Sequence, residues 1–135
     1  DDTAAVMSPS TYREFGLPYN SRISEAFGGI VVHSCGDIVH VLPVMLETPG
    51  LCGIDLVAPQ NDWGKVRDIV RGETALCLRY YSWDFTETKS WDLTAYSREL
   101  VDFFGRRGIL LWTQTEELSE ARTLSRKLHA ALGRG

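Results

Sequence analysis

The chain has 135 residues, 44% of them apolar and 24% charged, and this predicts one soluble domain with its own hydrophobic core. A net charge of −4 and a pI near 5.3 speak against a nucleic-acid footprint, which shows as a basic patch, and no apolar run approaches the ~20 residues of a membrane span. Three cysteines at irregular spacing make no disulfide framework and read as reduced thiols of a cytoplasmic protein.

Taken in chain order, residues 4–9 read as the tail of a strand, with Ser8 an N-cap and Pro9 in the first turn of a helix. Tyr12, Phe15, Tyr19, Ile23 and Phe27 then recur at three- or four-residue spacing, which predicts a helix with that stripe inward, kinked at Pro18 and stopped at Gly28-Gly29. Residues 29–33 form a short β-branched run, a buried strand. Asp37 can cap a helix running to about Glu47, and residues 51–59 are a second apolar strand. A helix over 61–72 turns Trp63, Val66, Ile69 and Val70 inward, and residues 74–81 give a third strand. Ser82 to Trp91 is a polar connection interrupted by aromatics. A helix follows over 92–108 with Leu93, Tyr96, Leu100 and Phe103 on one face, then a strand at 109–113. The last helix opens with Thr113 and Glu116 at capping-box spacing and carries Leu118, Ala121, Leu124, Leu128 and Leu132.

Strands alternate with helices, and the strands are continuous apolar runs, so the fold class is α/β with a parallel sheet. Four βα units fit either a small doubly wound sheet or half of an eight-stranded barrel. In both, ligands gather at the C-terminal edge of the strands.

Alternate strand residues share a face, so Val31, His33 and Cys35 point the same way, with His33 and Cys35 at that edge. Imidazole and thiolate side by side suit Zn²⁺, whose catalytic sites use three protein ligands and one open position. The plainer reading is a hydrogen-bonded histidine beside a buried thiol. Asp55 ends the second strand, where it can act as a catalytic acid or base or cap a loop, and Cys52 alternates to the opposite face. Cys77, Arg79 and Tyr81 share a face. If that face is inward, the Arg79 fork is an anchor for a substrate anion; if outward, it pairs with a helix carboxylate. Trp83, Asp84 and Trp91 suit a lid or simple packing, while His40 and His129 fall on helices. There is no glycine-rich phosphate loop and no serine nucleophile elbow.

Met7-Ser8-Pro9, Tyr12-Arg13-Glu14-Phe15, Leu17-Pro18-Tyr19, Arg22 and His33-Ser34-Cys35-Gly36, with the run from Val41 to Val57, resemble the C-terminal half of the uroporphyrinogen decarboxylase superfamily over nearly the whole chain. The resemblance implies half of a (β/α)₈ barrel. It also implies a zinc-dependent methyltransferase-like activity, in which a zinc-activated thiol accepts a methyl group from a corrinoid on a partner protein. His33 and Cys35 match two zinc ligands of that branch. Its third, a cysteine at the end of the last strand, is absent from Leu111-Trp112-Thr113, which leaves Cys77 as a possible substitute. In this reading Asp55 is catalytic or supports the ligands, and Arg79 binds an anionic substrate or thiol. The alternatives are a truncated or degenerate, non-catalytic member that binds a small anion or partner, and a tetrapyrrole decarboxylase. The chain opens on Asp1-Asp2 without Met, as a fragment or a trimmed chain would; made as it stands, the half-barrel is expected to form a homodimer.

Overall fold

The computed structural model describes residues 1–72, 74–80, 92–115 and 117–133. Its centre is a four-stranded sheet: β1 (Ile30–Ser34), β2 (Leu51–Val57), β3 (Ala75–Arg79) and β4 (Ile109–Trp112) lie side by side in chain order, and every pair is parallel. The helices are α1 (Pro9–Phe15), α2 (Leu17–Phe27), α3 (Leu42–Met45), α4 (Trp63–Val70), α5 (Leu93–Phe104) and α6 (Leu118–Leu132), with short 3₁₀ turns at Asp2–Val6 and Ala58–Gln60. The chain is thus an α/β protein with an all-parallel sheet.

The two faces of the sheet differ. Val32, Ile54, Leu56, Leu76 and Leu78 point to one side, where they form the core with Ile38, Leu42, Met45, Val66, Val70 and Leu100. Crossovers between adjacent parallel strands are right-handed, so successive helices fall on the same side. The opposite face carries Val31, Gly53, Asp55, Ala75, Cys77, Arg79, Leu110 and Trp112, which line an open groove of about 500 Å³. Val31 and Leu110 on that face are 58% and 63% exposed. In register across the sheet, His33 stands beside Asp55, Asp55 beside Cys77, and Cys77 beside Leu110.

Local chemistry sets most of the element ends. The Ser8 hydroxyl accepts from Thr11 N–H, Asp62 from Lys65 N–H, and Asp92 from the N–H groups of Thr94 and Ala95. Each such cap is worth about 1 kcal/mol. α4 and α5 present the apolar stripes expected of them, with Val66, Val70 and Leu100 buried.

Three expectations fail. Residues 4–9 are not a strand: Asp2–Val6 is a 3₁₀ turn whose Ala4 is wholly buried, held by backbone bonds such as Met7 N–H to Ala4 C=O and by the Asp2 carboxylate on Cys35 N–H. The turn is pinned from outside itself, since the Asp1 carboxylate accepts from the Tyr12 hydroxyl and the Asn20 amide. The helix expected from Pro9 to Phe27 breaks at Gly16, not at Pro18, which sits comfortably in the first turn of α2. A Cβ on Gly16 would come within 2.7 Å of the Tyr12 ring, so glycine lets that buried ring close over the break. The stripe is then turned away from the core: Tyr12 is buried, but Phe15, Tyr19, Ile23 and Phe27 face outward and Ser24 faces in. Ser24 fits against Gly50, where an added Cβ would lie 2.6 Å from its Oγ, and this small-residue contact sets the rotation of α2.

Two helices are shorter than their patterns predict. Asp37 accepts from Val39 N–H in a local turn, and Ile38 N–H goes to Asn61 Oδ1, so only Leu42–Met45 is helical. Thr113 does not cap α6; its hydroxyl donates to Tyr80 C=O across β3 and β4, and α6 begins at Leu118. Glu116 lies outside the described residues.

Candidate metal centre

β1 carries His33 to the C-terminal edge of the sheet, and Cys35 follows directly after its last residue, Ser34. His33 Nε2 is 3.3 Å from Cys35 Sγ. The turn at Asp2–Val6 brings a third donor, Asp2 Oδ1, to 3.6 Å from the same nitrogen. One ligand atom from each of Asp2, His33 and Cys35 lies within 4.8 Å of the other two, so the three can hold a metal ion. A tetrahedral zinc with bonds of ~2.0–2.3 Å puts neighbouring ligand atoms about 3.4–3.6 Å apart. The observed separations of 3.3 and 3.6 Å lie within a few tenths of an ångström of such edges, and the Asp2–Cys35 separation is within 4.8 Å. Sulfur, imidazole and carboxylate together form a donor set that zinc accepts.

Asp2 was invisible in the sequence reading. It stands 31 positions before His33, no ligand spacing connects them, and reading residues 4–9 as a strand hid the turn that brings it in. Its carboxyl is held below the ordinary aspartate range, chiefly by the Cys35 backbone N–H it accepts at 2.9 Å, against a small opposing effect of burial. A carboxylate kept charged in this way is ready for a cation.

Beside this group lies a second cluster on the groove face. Asp55, 6% exposed, receives Arg79 Nε–H on Oδ1 at 2.6 Å and Nη2–H on Oδ2 at 2.5 Å. The guanidinium also rests 4.4 Å from the centroid of the Trp112 ring. Arg79 therefore lies on the groove face, and its fork holds a strand carboxylate rather than a helix one. Cys77 lies on the same face, next to Asp55 in register. Burial first, and then the Asp55 charge and hydrogen bond, push its thiol up to about 11. It carries its proton at neutral pH and lies outside the Asp2–His33–Cys35 group.

Asp55 also links the two clusters. Its Oδ2 is 3.3 Å from His33 Nδ1, the nitrogen facing away from Cys35. The angles are not those of a hydrogen bond, and Nδ1 is a buried nitrogen that makes none.

The remaining candidates lie elsewhere. Cys52 is exposed near the start of β2, its thiol on Gly50 C=O. His40 meets Met7 C=O, and His129 bonds Ser125 C=O within α6. Tyr81, Trp83, Asp84 and Trp91 fall outside the described residues. Among those described, no helix is long and apolar enough to cross a membrane. Compared with family models, with curated proteins and with solved structures, the chain matches none of them.

Proposed function

We propose that the chain is half of a (β/α)₈ barrel of the uroporphyrinogen decarboxylase type. In this reading it binds Zn²⁺ between Asp2, His33 and Cys35 and serves a methyltransferase-like reaction, in which a thiol accepts a methyl group from a corrinoid carried by a partner protein. The observation that carries the reading is the convergence of three donors at the C-terminal edge of a parallel sheet. Sequential strand order and a one-sided core support the half-barrel, because a barrel opened along its length has these features. Asp2 supplies the third donor that the resemblance sought in a cysteine, while Cys77 keeps its proton.

Three protein ligands leave one tetrahedral position for a substrate. A bound zinc would lower the pKa of a thiol placed there and hold it as thiolate. The protein's part is to fix the donors and to border the open position with the groove, whose floor of Val31, Gly53 and Ala75 is apolar. We assign the protein to the cytoplasm and its working form to a homodimer.

A second reading, a non-catalytic member of the same fold that binds an ion or small anion, draws on the Arg79–Asp55 pair. The residues expected to anchor substrate and perform acid–base chemistry hold each other. Zinc titration against a chromophoric chelator, followed by assay of methyl transfer from methylcobalamin to a small thiol, separates the two. Stoichiometric binding with transfer supports the enzyme, and binding without transfer supports the second reading. No binding in the wild type, or binding unchanged in Cys35→Ser, overturns both as far as the metal is concerned.

A further inference from the structure

We infer that Asp55, clamped by Arg79, is a positioning residue that fixes the tautomer of His33, so that Nδ1 carries the proton and the Nε2 lone pair faces Cys35 and Asp2. A neutral imidazole has one protonated nitrogen, and its neighbours decide which. Asp55 Oδ2 lies 3.3 Å from Nδ1. A bare lone pair on Nδ1 would face a buried carboxylate oxygen at that distance, which is repulsive, whereas an N–H there meets an acceptor; on the other side the Asp2 carboxylate is farther from Nε2, at 3.6 Å, and well hydrated, and the Cys35 thiol at 3.3 Å can donate to a lone pair there. Nδ1 is buried without a hydrogen bond. A small turn of the ring toward Oδ2 would satisfy it, and leaving such a group unpaired costs about 1–3 kcal/mol.

Asp55 can impose this choice because it has little freedom. It is buried, both oxygens are gripped by the Arg79 fork, and Cys77 stands beside it on the neighbouring strand. Arg79 is braced in turn by the Trp112 ring. The line Trp112–Arg79–Asp55–His33 crosses the sheet from β4 to β1 and ends on the nitrogen that points away from the metal group. Histidines that bind metals commonly donate their other N–H to a carboxylate in this way, which orients the ring and raises its basicity. The tautomer assignment stands on the metal-free geometry; only its consequence for metal affinity rests on the zinc reading above.

The test is a two-bond ¹H–¹⁵N correlation spectrum of the ¹⁵N-labelled, metal-free protein in alkaline buffer, with His33 identified by its loss in His33→Gln. The wild type is expected to show a protonated Nδ1 and an unprotonated Nε2. An Nε2–H tautomer in the wild type overturns the inference, and this result needs no variant to fold. In Asp55→Asn the amide can donate or accept, so the preference should disappear. Arg79→Lys keeps the charge but loses the fork and should give a mixture. An unchanged spectrum in both variants, with unaltered thermal unfolding, also overturns it. Zinc affinity should fall about 10–100-fold in Asp55→Asn. If the wild type binds no zinc but shows the Nδ1–H tautomer, the metal reading fails and the positioning role of Asp55 survives. If zinc binds the wild type and Asp55→Asn equally tightly and the His33 tautomer is the same in both, the positioning role fails and the metal reading survives.

Discussion

Arg79 and Asp55 form a two-point ion pair across adjacent strands, with both carboxylate oxygens engaged and the carboxylate almost wholly buried. Such a pair is hard to break from one side, because the surviving charge stays in a poorly hydrated place. Asp55→Ala is expected to destabilise the fold by about 3 kcal/mol, and Arg79→Ala by somewhat less because its side chain keeps some contact with water. The double change Asp55→Leu with Arg79→Met, which removes both charges and keeps the volume, should recover most of the loss. Urea unfolding of the wild type, Asp55→Leu, Arg79→Met and the double variant gives the coupling energy, and strictly additive losses would show that the pair contributes nothing as a pair.

The pair has a consequence for Cys77, whose thiol is pushed up to about 11 by burial and by Asp55. A group that holds its proton more tightly when folded contributes stability that is complete below its unfolded pKa. That contribution is lost as pH rises through the folded value, here between about 9 and 11. Cys77 should therefore resist iodoacetamide at neutral pH while the exposed Cys52 is alkylated quickly, as read by peptide mass mapping. Asp55→Asn removes a negative neighbour and should speed the modification of Cys77. Equal rates at Cys77 and Cys52 in the folded wild type would contradict this.

Much of the fold was legible because short-range signals and tertiary packing agree in it. The strand-forming runs at residues 29–33, 51–59, 74–81 and 109–113 became four parallel strands, and the stripes of α4 and α5 face the core. The failures lie where a single close contact overrides a periodic pattern. Phe15, Tyr19, Ile23 and Phe27 have helical spacing, yet the Ser24–Gly50 contact turns them outward. Strand alternation alone puts His33 with Cys35 and Cys77 with Arg79, but leaves open whether the two sets share a face; the register settles it, with His33, Asp55 and Cys77 abreast and Arg79 on Asp55. Asp2 could not, because a 3₁₀ turn has no hydrophobic period and its link to Cys35 is a backbone N–H that any residue type would offer.

Asp2 is accordingly the most informative ligand to change. Its carboxyl is held below the ordinary range, so its contact with Cys35 N–H is fully formed above the unfolded aspartate pKa and is lost as pH falls through the lower, folded value. Zinc affinity should fall on acidification as the donors take up protons. Asp2→Asn should weaken binding at neutral pH by at least tenfold while leaving the unfolding midpoint of the metal-free protein almost unchanged, because the side chain is exposed. Binding followed by isothermal titration at two pH values checks both statements. An affinity equal to wild type in Asp2→Asn would remove Asp2 from the site and leave His33 and Cys35 as only two of the donors.

The last prediction concerns the uncovered face of the sheet. Among the described residues β1 and β4 are its two edges, and each presents backbone groups to no further strand. Between them Val31 and Leu110 stand largely exposed beside the apolar floor formed by Gly53 and Ala75. Burying apolar surface yields about 25 cal/mol per Å², and a stable interface covers about 800 Å² on each partner, so a second copy laid on this face can outweigh the cost of association. A twofold arrangement would also bring two copies of the Asp2–His33–Cys35 group to one rim. The outward stripe of Phe15, Tyr19, Ile23 and Phe27 is a competing surface, and paired substitutions distinguish the two. Light scattering at micromolar concentration is expected to give a dimer for the wild type and for Phe27→Lys, and a monomer for Leu110→Lys. A dimer that survives Leu110→Lys but dissociates in Phe27→Lys would move the interface to α2, and a wild-type monomer would mean that the groove face is stable in water without a second copy.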